Sequence, residues 1–319
     1  MSKWMGPTVC GLLVAVGIGQ YAKLVGPAAG NTISLLAIAG GVVWALAGGE
    51  RLRRVSGLYL WLAFPLSGLL EALSARLAGP VGSDTLTVYR IVSAAHLLLI
   101  IAATWALGSW RDADDKSYPA RLAAGLLLVG SVIFWSGATT FPGMTMAKIA
   151  AQGPAHMWTS GTFLLATVIT LAGLSLFTVA LHEAGDRFLS LLGLLAYMLG
   201  AVFWTIHLVF RLTVMPWAAA ELQRSGVPPA WFEPWRNWAG LFFGIYHALA
   251  YLSLIAYGSA LLRTGLLSRA AGWMCIVFGA CALPWFGPPL LIQVMPWIIG
   301  TLVLTRPASS SRRGHFAGP

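Results

Sequence analysis

Four ionisable residues, Glu71, His96, His207 and His247, stand inside otherwise apolar stretches of the chain. An ionisable group at the centre of a bilayer costs roughly 3 kcal/mol or more unless it is paired, ligated or wetted, so each is a functional candidate. Imidazoles and a carboxylate at one depth suit two chemistries. Two neutral imidazoles on facing helices can ligate the iron of a b-type haem, with small residues beside the porphyrin and arginines for its propionates. Three imidazoles and a carboxylate suit zinc, copper or iron. The cofactor-binding candidates are therefore His96, His207, His247, Arg90, Arg211, Gly244 and Tyr251, and the metal candidates are His96, His207, His247 and Glu71. Arg76 and Arg236 are further propionate partners on the same side.

The usual enzyme signatures do not accompany them. There is no H-E-x-x-H, no paired E-x-x-H, no phosphate-binding glycine loop and no Asp-rich diphosphate motif. No lysine lies well inside an apolar run, which removes a retinal Schiff base. Catalytic residues are thus not assigned, and enzyme and non-enzyme readings both stay open.

The elements that must carry these residues follow from composition. Of the 319 residues, 58% are hydrophobic and 9% charged, with a mean hydropathy of +0.78. A soluble domain carries about 25% charged residues. The chain reads as an all-α polytopic membrane bundle over 1–305, with a basic, Ser-rich, disordered tail at 306–319 that can touch anionic lipid. Ten apolar runs are candidate spans: 6–24, 32–48, 57–77, 88–109, 121–138, 159–181, 188–213, 238–262, 268–283 and 288–305.

Loop charge orients them. With the N-terminus inside, the outward segments hold only Lys23, Arg76, Arg90, Lys148, Arg211, Arg224 and Arg236 of the 20 basic residues, while the ERLRR cluster at 50–54 faces inward. That bias predicts an even number of spans with both termini cytoplasmic, in a cell membrane of the bacterial cytoplasmic type. The net charge of +10 does not signal nucleic acid, because the basic residues lie in short loops. Lys23 argues against reading the first run as a signal peptide cleaved near Ala28-Ala29. Cys10, Cys275 and Cys281 form no C-x-x-C and read as packing residues.

Helical rise then sets depth. His96 falls about 12 Å below the outer end of its run, His247 about 13 Å and His207 about 9 Å, with Glu71 at a similar level. Glu71 is the weakest member, since it can snorkel or sit near Arg76. Three helical faces are implicated: Tyr89, Ser93, His96, Ile100 and Ala103; Gly193, Tyr197, Gly200, Trp204, His207 and Arg211; and Gly240, Gly244, His247, Tyr251, Leu254 and Gly258. Glycine on a histidine face allows either close helix packing or room for a flat ligand.

Two outer loops are long. In the second, 214–237, Pro216 opens an amphipathic run that Gly226 and Pro228-Pro229 end, and Trp217, Trp231, Trp235 and Trp238 crowd it. This predicts a small helix and Trp-rich turn lying flat on the outer face, as an aromatic belt or a lid. In the first, 138–159, Met144, Met146, His156 and Met157 could hold Cu(I), although apolar filling explains methionines better. His182, Glu183 and Asp186 read as a solvated helix end, and Asp112, Asp114 and Asp115 as a solvated loop. A faint echo of 90–110 in 241–261, laying His96 on His247, suggests two halves, 1–150 and 151–305. It conflicts with the charge count, which carries more weight.

Three function classes remain. One is a membrane redox protein with haem b, copper, iron or zinc near the outer leaflet, exchanging electrons with quinol or an outer partner. Another is a proton-coupled transporter using Glu71 and the histidines. The third is a non-catalytic anchor or assembly subunit of a larger complex, in which the histidines only pack.

Overall fold

The computed structural model describes Tyr59, residues 118–139, Met146, residues 155–283 and residues 290–305. These form six helices: α1 (Tyr118–Thr139), α2 (Ala155–Glu183), α3 (Leu189–Ser225), α4 (Phe232–Thr264), α5 (Arg269–Ala282) and α6 (Leu290–Thr305). No strand occurs among the described residues. Three stretches, Phe163–Glu183, Leu189–Ser225 and Phe232–Thr264, are long and apolar enough to cross a membrane. The described residues are all helical, and the chain is a membrane protein. The candidate spans at 6–24, 32–48, 57–77 and 88–109 fall, Tyr59 apart, outside the described residues, as do the tail and one arm of the internal echo.

The outside of the bundle shows why lipid is its solvent. Leu195, Leu199, Val202 and Val209 stand exposed along α3, while Tyr197, Gly200, Trp204 and Arg211 on its other face are buried. Polar groups turn inward and apolar groups outward, which water would penalise and hydrocarbon tolerates. Short links join α2 to α3, α3 to α4 and α4 to α5, so these packed neighbours run antiparallel. α1 packs on α2 and α6.

Local chemistry fixes the ends. Gly226 and Gly265 terminate α3 and α4 with φ of 72° and 62°, and their N–H groups close onto Leu222 and Leu261 carbonyls. Only glycine takes that left-handed cap without steric cost. Ser268 caps α5 by accepting from the Ala271 N–H at 3.2 Å. Seams between helices are set by glycine: a Cβ on Gly258 would meet the Gly272 carbonyl at 2.7 Å, and one on Gly300 the Gly125 carbonyl at 3.1 Å.

The flat outer helix is not what forms. α3 continues unbroken through Pro216 to Ser225, and α4 begins at Phe232, taking Trp235 and Trp238 into its first turns. At 37 residues, α3 is about 55 Å long, well beyond a hydrocarbon core of about 30 Å. Proline removes one backbone hydrogen bond from a helix interior. Burial of Met215, Ala218 and Ala219 against Phe232, with Met146 packed alongside, offsets that loss. His156 and Met157, placed in a loop from sequence, belong to the first turn of α2. The remaining Cu(I) candidate, Met144, lies outside the described residues.

Candidate functional site

His207 on α3 and His247 on α4 come together at the seam between these helices. Each ring is oriented by a backbone carbonyl: His207 Nδ1 donates to Ala239 O at 3.0 Å, and His247 Nδ1 donates to Phe243 O at 2.8 Å. A carbonyl can only accept, so Nδ1 carries the hydrogen in both rings and Nε2 is left as the bare lone pair. That arrangement leaves an imidazole ready to accept a proton or ligate a metal at Nε2.

The two histidines differ in their surroundings. His247 is 1% exposed and its Nε2 has no hydrogen-bond partner among the described residues. His207 is half-buried and belongs to an aromatic cluster. Its ring stacks on Trp204 at 5.3 Å and 12° and on Phe243 at 5.0 Å, and Trp204 and Phe243 are themselves 5.5 Å apart. Phe243 also meets His247 edge-on, with centroids 4.1 Å apart. One phenyl ring therefore touches both imidazoles.

The other predicted partners divide. Tyr251 is buried, 6.3 Å from the His247 ring, and belongs to the same core. Gly244 is half-buried. Arg211 turns into the bundle, its guanidinium carbon 5.3 Å from the centroid of Phe163 on α2. Arg236 instead pairs with Glu233 at 2.8 Å on the exposed start of α4, so it is a surface residue. His96, Glu71, Arg90 and Arg76 lie outside the described residues. Among the described residues no group of three or more His, Cys, Asp or Glu side chains could hold a metal.

The glycine stripes resolve largely as packing. Gly193 lies against the Tyr257 ring and Ser253 carbonyl, and Gly200 against Tyr246 and Leu249, so the α3 stripe is the contact with α4. Gly258 lies against α5. Gly240, at the other end of the α4 stripe, faces open space and is exposed. Comparison with protein-family models, curated proteins and solved structures gives no match for this chain. What the site does must be argued from its own atoms.

Sequence reasoning missed one feature and misjudged another. The buried hydroxyls of Tyr197, Tyr246 and Tyr257 share the seam with His247. Their helical spacing was visible, but without neighbouring helices nothing marked them as polar pairs. Asp186, expected at a solvated helix end, is 1% exposed. Its Oδ2 accepts from the Ser190 N–H at 2.8 Å, capping α3 from the turn before it, and Oδ1 lies 3.6 Å from Arg263. The Asp-x-x-x-Ser spacing ahead of an apolar run was the available signal.

Proposed function

We propose that the protein is a multi-pass redox protein of the bacterial cytoplasmic membrane, with about ten spans and both termini cytoplasmic. In this reading a b-type haem, or a copper, iron or zinc ion, is held by intramembrane histidines near the outer side. Haem, copper or iron held there would exchange electrons with quinol or an outer partner, whereas zinc has no redox chemistry and would serve only as a Lewis acid or a structural ion. The observation that carries the reading is His247: a fully buried imidazole whose Nδ1 is anchored and whose Nε2 lone pair has no partner among the described residues. An unsatisfied buried acceptor costs about 1–3 kcal/mol, which a bond to a ligand would remove.

Fit tests narrow the donor set. Two axial imidazoles stand on opposite faces of one porphyrin, which fills the space between them. Phe243 touches both His207 and His247, so a porphyrin does not fit between that pair. In this reading His247 and His96 would hold the group, with Glu71 as the carboxylate if a bare ion is bound. When bound, haem, copper or iron would supply a one-electron carrier, which zinc would not; the chain's own residues orient His247 and bury it.

Oxidised-minus-reduced visible spectra and elemental analysis of detergent-purified protein test this. A Soret band or stoichiometric metal that disappears in His247→Ala and His96→Ala, but persists in His207→Ala, is the expected result. No band and no metal would end the redox reading. A proton-coupled carrier is the second reading, favoured by the hydroxyl-rich interior of α2–α4.

A further inference from the structure

The interior of the α2–α3–α4 bundle carries polar groups at successive levels. At the α2–α3 turn, the Asp186 carboxylate is buried and faces Ser190 and Arg263. Further in, the Tyr257 hydroxyl lies 2.9 Å from Thr178 Oγ1 and 3.4 Å from the Leu174 carbonyl. One turn along α4 is Ser253, fully buried, with a hydroxyl that has no partner among the described residues. Next, the Tyr197 and Tyr246 hydroxyls face each other at 3.4 Å, and Thr170 is within hydrogen-bonding reach of Tyr197. Beside Tyr246 stands His247, whose Nε2 has no partner among the described residues.

The order of these levels is fixed by two contacts. Gly193 of α3 lies against Tyr257 and Ser253, and Gly200 lies against Tyr246. Tyr197 stands between those glycines, so the groups succeed one another along the seam.

Packing alone does not account for the series. Thr167, Thr170 and Thr178 each donate to the carbonyl four residues back, as threonine does in any apolar helix. The tyrosine hydroxyls and Ser253 have no such local outlet. Phenylalanine and alanine would fill the same space without placing oxygen in a medium of low dielectric, where each unmet hydroxyl costs about 1–3 kcal/mol. Chains of buried hydroxyls, carboxylates and imidazoles in a membrane are the material of proton relays.

We propose that this file is a proton path through the bundle, entering at Asp186 and leaving by way of His247 and the half-buried His207. At each hydroxyl the incoming proton binds an oxygen lone pair while that group's own hydrogen passes to the next acceptor; His247 takes the proton on Nε2 and releases it from Nε2, its Nδ1–H staying on the Phe243 carbonyl. Every group ends with the protons it began with, so one proton moves and no oxidant is consumed. Ser253 is the intermediate station. It stands about 6 Å along α4 from Tyr257, a step that one hydrogen-bonded water spans. Among the described residues, the charged side chains placed at the file are Asp186 and Arg263 at one end and Arg211 at the other.

The path does not depend on a bound cofactor, and its test is separate from the spectrum. Full-length protein in vesicles containing a pH-sensitive dye is given a potassium diffusion potential with valinomycin, and internal acidification is followed. The wild type should carry protons above the rate of protein-free vesicles. Ser253→Ala and Tyr257→Phe, both near-isosteric, should be about tenfold slower, the effect of a barrier raised by about 1.4 kcal/mol. Ser259→Ala, whose hydroxyl bonds the Ile255 carbonyl on its own helix, should match wild type. Wild-type flux at the blank rate would overturn the proposal. So would Ser253→Ala and Tyr257→Phe proteins that elute as wild type and conduct equally well.

Discussion

Replacing Gly258 with alanine decides whether the glycine at the far end of the α4 stripe serves helix packing. An ideal Cβ at 258 would lie 2.7 Å from the Gly272 carbonyl oxygen and 2.9 Å from both Cys275 Cβ and Ile276 Cγ1. Carbon contacts settle near 3.5–4.0 Å, so α4 and α5 would have to separate by roughly 0.7 Å or more. The closest atom is backbone and cannot rotate away, which places the overpacking cost toward the upper end of about 1–3 kcal/mol. Alanine recovers about 1 kcal/mol of helix propensity, leaving a net loss of roughly 1–2 kcal/mol. Gly240 is the internal control: no atom lies within 4 Å of its ideal Cβ, so Gly240→Ala should gain up to about 1 kcal/mol. Reversible unfolding in mixed SDS micelles, followed by circular dichroism, reads both. Opposite signs are expected, and equal stabilities for the two variants would refute the close approach of α4 and α5 at this point.

Further outcomes follow from the same geometry. Asp186→Ala should lose about 1–2 kcal/mol with the α3 cap, whereas Arg263→Ala should lose well under 1 kcal/mol, because that guanidinium is 62% exposed and 3.6 Å away; equal losses would show that the ion pair, not the cap, stabilises the turn. Spin labels scanned through 210–224 should report one uninterrupted helical periodicity in accessibility, and a break at Pro216 would restore the flat outer helix. Ser268→Ala should cost about 1 kcal/mol by removing the cap of α5, measured in the same unfolding assay, and an unchanged midpoint would discount that cap.

Helices and their contact faces were legible in the sequence to unequal degrees. The apolar runs at 121–138, 159–181, 188–213, 238–262, 268–283 and 288–305 each correspond to one helix, because span length and apolarity are local properties. The buried stripe of α3 was also legible, since Gly193, Tyr197, Gly200, Trp204 and Arg211 repeat at helical spacing and are all buried. Proline was given too much weight at 216, where tertiary burial of Met215, Ala218 and Ala219 outweighs one lost hydrogen bond. Asp186 was grouped with His182 and Glu183 as a solvated helix end, although its Asp-x-x-x-Ser spacing carried the signal of a cap. Which glycines meet another helix could not be read at all, because that depends on partners distant in the chain.

Depth along a helix makes His207 and His247 look equivalent, and angle around the helix makes them different. His207 puts a face of its ring against Trp204 and Phe243, where its flat surface does the work of any aromatic residue while its remaining edge stays partly open. His247 is enclosed, and the only group its Nδ1 satisfies is on its own helix. A packing role explains the first; phenylalanine would provide most of the same stacking. It does not explain the second, because phenylalanine at 247 would fill the space without leaving a buried lone pair that no described residue meets. Of the two, His247 is therefore the residue whose chemistry the fold retains against its own stability. Redox ligation and proton transfer both use that lone pair, and they separate in experiment: a ligand role predicts a lost spectrum or metal in His247→Ala, and a relay role predicts lost flux with the spectrum or metal unaltered.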